Sequence, residues 1–346
     1  MMPMADSGTL SVNRVMPDAA RARALSGEVH RRMAASLAYV FEAAGPALGL
    51  DADKIGVWME RFAQADRAPP MAHARYHAMV AAIQGNDLDL ALLEAGRLLD
   101  MQMDAAALDM FNLDDAALGE GATALICRFA DIEEANRLDL IPAASRDIDA
   151  FRLLLADAEI MMRDHHPELH GEFHALISTL LAVDQAEERK FTLGAVSCFQ
   201  LWGSLIINPA LQQDALTLVA TIAHECTHLL LFAMAMDEPL VLNPPDERHY
   251  SPLRNEMRSV DGIYHATIVS ARMAHAYVQQ MNSGMLPADI ARVAPEWLFV
   301  ALRAFDSGLA VLEDKSRLTK TGREILDDAI ELVAGYPRAR AVSATD

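Results

Sequence analysis

The stretch NPALQQDALTLVATIAHECTHLLLFAMAM, residues 208–236, contains the most informative motif of this sequence. Apolar residues flank the segment HECTH, residues 224–228, on both sides, and this pattern predicts a buried helix. Positions four apart lie on the same face of a helix, so His224 and His228 project side by side and can bind one metal ion. Glu225 follows the first histidine and lies next to that ion.

The composition favours helices, because Ala, Leu and Met are abundant in a 346-residue chain that is 52% hydrophobic and only 6% aromatic. A formal net charge of −20 argues against nucleic acid or an anionic membrane surface as a partner. Three cysteines give no disulfide framework and are typical of a reducing cytosol. The sequence has no signal peptide pattern and no run of about 18 apolar residues, so we expect a cytoplasmic protein.

Helical patterns fill most of the chain and predict a mainly α fold, α+β with a minor sheet. We expect a flexible N-terminus over 1–14, a helical N-terminal region over 15–145 and an HExxH metal-binding catalytic region over 146–340. The best strand signal is FTLGAVSCFQLWGSLIINPA, residues 191–210, where β-branched and aromatic residues are interrupted by glycines. The N-terminal region shapes either a peptide groove or a homodimer interface.

Two long helices are predicted to hold the metal and form the core of the catalytic region. Asn208 can cap the motif helix, and Pro209 suits its first position. A proline-rich loop follows the motif helix. The second long helix is predicted to begin near Ser251 and Pro252 and to end at Gly284.

A usable metal site needs a third protein ligand, and the second helix offers Glu256, Asp261 and His265. On a continuous helix Glu256 and His265 would lie about 180° apart, so they cannot both face the site. Arg258 and Asp261 share the face of His265. A guanidinium on this face suits an oxygenase that uses 2-oxoglutarate, because the far carboxylate of that cosubstrate favours a bidentate partner. Imidazole ligands suit both iron and zinc, so they do not choose the metal.

The segment HYSPLRNEMRSVDGIYHA, residues 249–266, carries a further pattern. Together with HECTH it resembles the HExxH-type 2-oxoglutarate-dependent peptide β-hydroxylases of ribosomal peptide natural-product pathways. The residues that match this family in order and spacing are Ser251, Pro252, Arg254, Arg258, Gly262 and His265. The departures, where the family has an aromatic residue, two prolines and a glycine, are Leu253, Met257, Ser259 and Ala266. The resemblance covers residues 150–335.

The resemblance implies an enzyme that uses Fe(II) and 2-oxoglutarate to hydroxylate a side-chain Cβ of a ribosomally made precursor peptide, with succinate as co-product. The iron ligands that it implies are His224, His228 and His265. It also implies that Arg258 or Arg254 binds the distal carboxylate of 2-oxoglutarate. In such an enzyme Glu225 fixes a ligand or a water and is not the general base.

Two other functions fit the same residues. One is a zinc metallopeptidase, in which Glu225 is the general base and either His265 or Glu256 is the third Zn(II) ligand. The other is a non-catalytic peptide-binding protein with a retained metal site. Glu225→Ala would separate the first from the oxygenase, because it should abolish peptide cleavage while a hydroxylase keeps some turnover.

A second histidine run, HHPELHGEFH at residues 165–174, spaces His166, His170 and His174 by four. Glu168 and Glu172 alternate with them, and this pattern favours a solvated helix face over a metal site. The same helix is predicted to continue through ISTLLAV, which follows the run.

Overall fold

The structure, a computed structural model, describes residues 15–103, 108–130, 137–186, 192–253 and 255–338. Residues 1–14, for which we predicted a flexible N-terminus, and Arg254, a predicted 2-oxoglutarate ligand, lie outside the described residues. Within the described part the chain forms eleven α-helices and seven short strands. The prediction of a mainly α fold, α+β with a minor sheet, is therefore confirmed.

The helices account for most of the described chain. In chain order they are α1 (Ala19–Ala44), α2 (Ala52–Gln64), α3 (Pro70–Gln84), α4 (Leu88–Leu99), α5 (Ala122–Ala130), α6 (Ser145–His165), α7 (Pro167–Leu176), α8 (Ala215–Met234), α9 (Val260–Asn282), α10 (Ala288–Lys315) and α11 (Lys320–Val333).

The strands form one mixed sheet and one hairpin. They are β1 (Asp109–Asn112), β2 (Leu140–Pro142), β3 (Thr179–Gln185), β4 (Ala195–Val196), β5 (Ser204–Ile207), β6 (Arg248–Ser251) and β7 (Glu256–Ser259). The sheet has the order β1-β3-β5-β4, in which β1, β3 and β5 are parallel and β4 runs antiparallel to β5. Strand β2 pairs with the end of β3, and β6 pairs with β7. The sheet joins the two predicted regions, because β1 precedes residue 145 and β3 follows it.

Strand β3 corrects one prediction, because its residues were expected to extend α7. Helix α7 ends at Leu176, and Ile177 already has extended backbone angles. The run from Thr179 to Val183 is buried, with neighbours on both sides in the sheet. A short run that is apolar throughout has no helix or strand period of its own, so pairing with β1 and β5 decides its conformation.

The motif helix α8 begins later than predicted. Asn208 and Pro209 start a separate 3-10 turn, in which the Asn208 side chain accepts a hydrogen bond from the backbone of Ala210 at 3.1 Å. Asp214 is the cap of α8, and its carboxylate accepts a hydrogen bond from the Thr217 amide at 2.9 Å. Asn208 also donates to a side chain of the sheet at 3.0 Å, which holds it at the strand end.

The start of α9 is also different from the prediction. The hairpin of β6 and β7 replaces the expected first helical turns, and α9 begins at Val260, with Ser259 as its cap. Asn255 has a left-handed backbone conformation (φ 53°), which asparagine tolerates better than most residues, and it turns the chain between the strands. The helical-wheel argument for Glu256 and Arg258 was therefore wrong in its premise, because both residues lie on β7. The predicted stop near Gly284 agrees with the end of α9 at Asn282.

Helix α8 lies in the centre of the fold. By length and composition this helix could cross a membrane. However, 67% of its most apolar stretch is buried inside the protein, as expected for a core helix. Cys226 of this helix is fully buried among apolar side chains. Burial also raises the pKa of its thiol. A buried ion pair between Arg272 of α9 and Glu172 of α7 connects the helices on either side of α8.

Candidate metal centre

The structure brings the three predicted histidine ligands together. His224 and His228 come from α8, and His265 comes from the second turn of α9. The Nε2 atoms of His224 and His228 lie 3.2 Å apart. The Nδ1 atoms of His228 and His265 also lie 3.2 Å apart, and the two rings are stacked at 18°.

Each of these two separations, taken alone, matches the distance between two ligand nitrogens on one metal ion. A ring nitrogen binds a metal at about 2.0–2.1 Å, so two ligand nitrogens on one ion stand about 3.0–3.4 Å apart. The two close approaches use opposite nitrogens of His228, whereas one ion takes one nitrogen from each ring. Rotation of the His228 or His265 ring about its Cβ–Cγ bond is the adjustment that a common ion requires. The donor set of three imidazoles suits Fe(II) and Zn(II) alike.

The surroundings of the rings favour the neutral imidazole that a metal needs. Burial lowers the pKa of His265, while the nearby carboxylate of Asp261 acts in the opposite direction. The Nδ1 atom of His224 lies 3.4 Å from the Met273 sulfur. The Met273 sulfur is a weak acceptor that contacts Nδ1 of His224, so it can orient the His224 ring and leaves Nε2, which faces His228, available to a metal.

Glu225 is buried beside the histidines and has a defined partner. Ser197 donates a hydrogen bond to its carboxylate at 2.8 Å, and the other carboxylate oxygen lies 3.8 Å from Nε2 of His224. Ser197 follows directly after β4, so the sheet positions Glu225 against the motif. The sequence analysis missed Ser197, although GAVSC was part of its strand signal, because a lone serine has no spacing that marks its role.

The three histidines line a cavity of about 620 Å³. Arg258 also lines it, although it reaches the cavity from β7 and not from the predicted helix. Its guanidinium passes over Gly262, where an added Cβ would stand 3.6 Å from Nε. Among the described residues of the lining, Arg258 is the one permanently charged cation. Its side chain is 28% exposed, and its Nε lies 3.7 Å from the carboxylate of Glu256.

Glu256 does not occupy the position of a third metal ligand. It is absent from the described lining of the cavity, which includes His265. The peptidase variant with Glu256 as a ligand therefore has no support in the geometry, whereas the variant with His265 keeps it. Asp261 and Ser259 complete the polar rim next to Arg258.

One wall of the cavity is apolar and comes from residues that the sequence analysis did not single out. Helix α9 contributes Val269 and Tyr277, and α10 contributes Trp297, Val300 and Ala301. Helix α10 packs along α9, so residues of both helices contribute to this wall. Its amphipathic pattern could have indicated a buried face, but no local signal shows which cavity that face would line.

The second histidine run is only partly solvated, so the predicted exposed stripe was wrong. Glu172 is fully buried with Arg272, and His166 is buried at the junction of α6 and α7. Glu168 accepts a hydrogen bond from the first amide of α1 at 2.8 Å. His170 and His174 remain half-buried and lie close together, with ring centroids 4.6 Å apart.

A second cavity, of about 530 Å³, lies in the N-terminal region and contains none of the predicted site residues. Its two guanidinium groups are already engaged: Arg75 pairs with Glu94 at 3.0 Å, and Arg97 pairs with Glu120 at 2.7 Å. These pairs make this cavity a weaker candidate for an anionic ligand than the cavity at the histidines.

Comparison of the chain with protein-family models gives no match, and comparison with curated proteins gives none either. The resemblance to the peptide hydroxylases therefore depends on the motif residues and on their arrangement around the cavity.

Proposed function

We propose that this chain is an Fe(II)- and 2-oxoglutarate-dependent oxygenase that hydroxylates a side-chain Cβ of a ribosomally made precursor peptide. The observation that carries the proposal is one cavity whose lining combines the imidazoles of His224, His228 and His265, one guanidinium and an apolar wall. When bound, Fe(II) and 2-oxoglutarate would supply the oxidising chemistry, in which one O₂ converts 2-oxoglutarate to succinate and CO₂ and leaves its second oxygen atom on the peptide.

The protein's own contribution begins with the ligands. His224, His228 and His265 would hold the ion on one side through neutral nitrogens and leave its other positions open to small molecules. Such an open side is what a catalytic metal needs, in contrast to a closed structural site.

Arg258 would fix the orientation of 2-oxoglutarate. A guanidinium binds a carboxylate through two parallel N–H donors, so it can hold the distal carboxylate while the 2-oxo acid end faces the metal ligands. Gly262 leaves room for this guanidinium against the start of α9. Arg254, which the resemblance also implies, is a second candidate for the same role.

The apolar wall would exclude water and receive the peptide side chain. Trp297, Val300 and Ala301 line the same cavity as the histidines. A dry wall prevents side reactions of an oxidising centre with solvent. The cavity is large enough for 2-oxoglutarate and one peptide side chain together, because ligand pockets of this kind span about 300–1,000 Å³.

Glu225 would position a ligand or a water and would not act as the base of a peptidase. Its hydrogen bond from Ser197 holds the carboxylate at a fixed place beside His224. A buried carboxylate next to a metal ligand orients that ligand and strengthens its binding.

The proposal includes a cytoplasmic location, where precursor peptides are made and where the three free cysteines stay reduced.

The decisive measurement is succinate formation by protein loaded anaerobically with Fe(II) and then given 2-oxoglutarate and O₂. Enzymes of this type decarboxylate 2-oxoglutarate slowly without peptide, so the substrate need not be known. We expect succinate from the wild type and none from His265→Ala. Arg258→Ala should raise the KM for 2-oxoglutarate by about 10–100-fold, because it loses a charge-assisted hydrogen-bonded partner. Arg248→Ala, on the neighbouring strand and exposed, is the matched control and should behave like the wild type.

The two rival functions give different results in the same series. Tight Zn(II) binding without succinate, together with peptide cleavage that Glu225→Ala abolishes, would establish the metallopeptidase. Peptide binding without turnover under either metal would establish a binding protein.

A further inference from the structure

A second group of metal-ligand side chains lies on the outside of the molecule, at the hairpin of α6 and α7. His170 and His174 are one turn apart on α7, and Glu159 faces them from α6. One ligand atom from each of the three residues lies within 4.8 Å of the other two. The Nε2 atom of His174 is 3.1 Å from a carboxylate oxygen of Glu159.

This group has the composition and the reach of a metal site. Two imidazole nitrogens and one carboxylate oxygen are ligands that Zn(II) and related divalent transition metals prefer. Bound to one ion, such atoms stand about 3.0–3.4 Å apart. The pair of His174 and Glu159 already has this separation, and small side-chain rotations would bring His170 to the same distance from both. The side chains of Glu159 and His174 are 32% and 39% exposed, so water can fill the remaining positions.

We propose that Glu159, His170 and His174 form a second metal site, which binds a divalent transition metal of the Zn(II), Co(II) and Ni(II) class. The site is independent of the oxygenase proposal, because none of its residues lines the motif cavity. Arg67 donates a hydrogen bond to the backbone carbonyl of His174 at 2.9 Å. The positive charge of Arg67 repels a bound metal ion, so the metal affinity of this site should be lower than that of a closed structural site.

The position of the site indicates what the metal would do. Helices α6 and α7 meet at His166, which ends one helix and precedes the other. Both helices pack against α8, which carries the HECTH motif. A metal held by Glu159 and the two histidines would cross-link α6 to α7, and it would stabilise the folded state because the unfolded chain does not preform the site.

The test uses the full-length chain with the motif site removed by His224→Ala and His228→Ala. Titration with Co(II), followed by visible absorption, and with Zn(II), followed by calorimetry, should give one equivalent bound. Adding His170→Ala or His174→Ala should reduce this to zero, and adding Glu159→Gln should weaken binding by about 10–100-fold. His165→Ala, which removes a histidine of the same run outside the group, is the matched control and should keep one equivalent.

If the double variant does not fold, the wild type and His170→Ala are compared directly. The expected result is then two equivalents for the wild type and one for the variant, with a rise in melting temperature on Zn(II) addition that His170→Ala reduces. Equal stoichiometry in the wild type and in His170→Ala would overturn the proposal. Failure of the oxygenase proposal would appear separately, as absent succinate with the second equivalent unchanged.

Discussion

Two groups of side chains have the same local arrangement in different surroundings. They are the motif centre (His224, His228 and His265) and the α6–α7 cluster (Glu159, His170 and His174). Each has two histidines four residues apart on one helix and a third ligand from the helix packed beside it. The motif histidines line a cavity with a guanidinium and an apolar wall, whereas His170 and His174 lie half-exposed on the outside of a hairpin. The spacing therefore brings two imidazoles together in both places, and the surroundings distinguish the proposed oxygenase centre from the proposed structural metal site.

The two regions are not energetically independent, because one buried ion pair links their helices. Glu172 lies between His170 and His174 on α7, and it pairs with Arg272, which follows His265 on α9. Arg272 also donates a hydrogen bond to the carbonyl of Val15 at 2.7 Å. The side chains of Arg272 and Glu172 are 1% and 0% exposed, so water cannot solvate the charge that remains when one partner is removed.

The largest expected effect comes from Arg272→Met, which would disturb both regions at once. It removes the guanidinium that pairs with buried Glu172 and leaves this carboxylate only the Asp18 amide and the more distant charge of Arg21. The free energy of unfolding should therefore fall by about 3–5 kcal/mol, measured by urea denaturation. Arg163→Met, at an exposed side chain of α6, is the control and should change it by less than about 0.5 kcal/mol.

Combining Arg272→Met with Glu172→Leu should recover a large part of that loss, because the second change removes the uncompensated charge. A loss below about 1 kcal/mol for the single variant would contradict the structural role of the pair. The two regions would then have to be treated as separate units.

A smaller effect is expected from pH, through two buried histidines near the same ion pair. Burial lowers the pKa of His166 to about 3 and that of His275 to about 4, from an ordinary value of 6.5. Between about pH 4 and 6.5 the unfolded chain therefore binds more protons than the folded chain. Stability should be complete above pH 6.5 and fall as the pH decreases, by on the order of 1 kcal/mol per histidine at pH 5.5.

Thermal melts at pH 7.5 and 5.5 measure this difference. His166→Phe combined with His275→Phe should make the dependence less steep, whereas His165→Ala, at the end of α6, should leave it unchanged. Part of the slope should remain, because burial also lowers the pKa of other histidines, that of His73 to about 3. Equal slopes in the wild type and the double variant would show that these histidines stay solvated enough to titrate normally.

The smallest expected effect comes from Gly262→Ala. This change should alter the cavity at the motif histidines and leave the α6–α7 cluster unchanged. In Gly262→Ala the new Cβ would stand 3.2 Å from Ser259 Oγ, so this hydroxyl, which caps α9, must shift by a few tenths of an ångström. Its contact with Arg258 Nε, at 3.6 Å, is an ordinary van der Waals one, so the guanidinium moves only through the neighbouring Ser259. If the proposed function holds, the KM for 2-oxoglutarate should rise by about 2–5-fold, equivalent to about 0.5–1 kcal/mol.

Co(II) binding by the α6–α7 cluster should not change in Gly262→Ala. The control is Gly27→Ala on α1, where an added Cβ meets no atom within 4 Å. An unchanged KM in Gly262→Ala would show that the shift at Ser259 does not reach the guanidinium of Arg258, and the KM of Arg258→Ala then decides whether Arg258 binds the distal carboxylate.

The element order illustrates where prediction from the sequence succeeded. The end of α9 followed from Gly284, because a glycine after a helix is a local signal. The start of α9 was wrong, because the residues of β7 have no strong strand pattern and pair only through the turn at Asn255. Strand β3 was missed for a related reason, since its conformation depends on partners from distant parts of the chain.

The sequence by itself determined the chelating pairs and the mainly helical fold. Helix geometry repeats every 3.6 residues, so the positions of His224 and His228 relative to each other are a local property. The tertiary structure alone decided what surrounds them: Arg258 arriving from a strand, Ser197 holding Glu225, and the apolar wall of α10. It also decided that Glu172 is buried with Arg272. Such contacts depend on which distant segments pack together and exclude water, and no spacing along the chain encodes that.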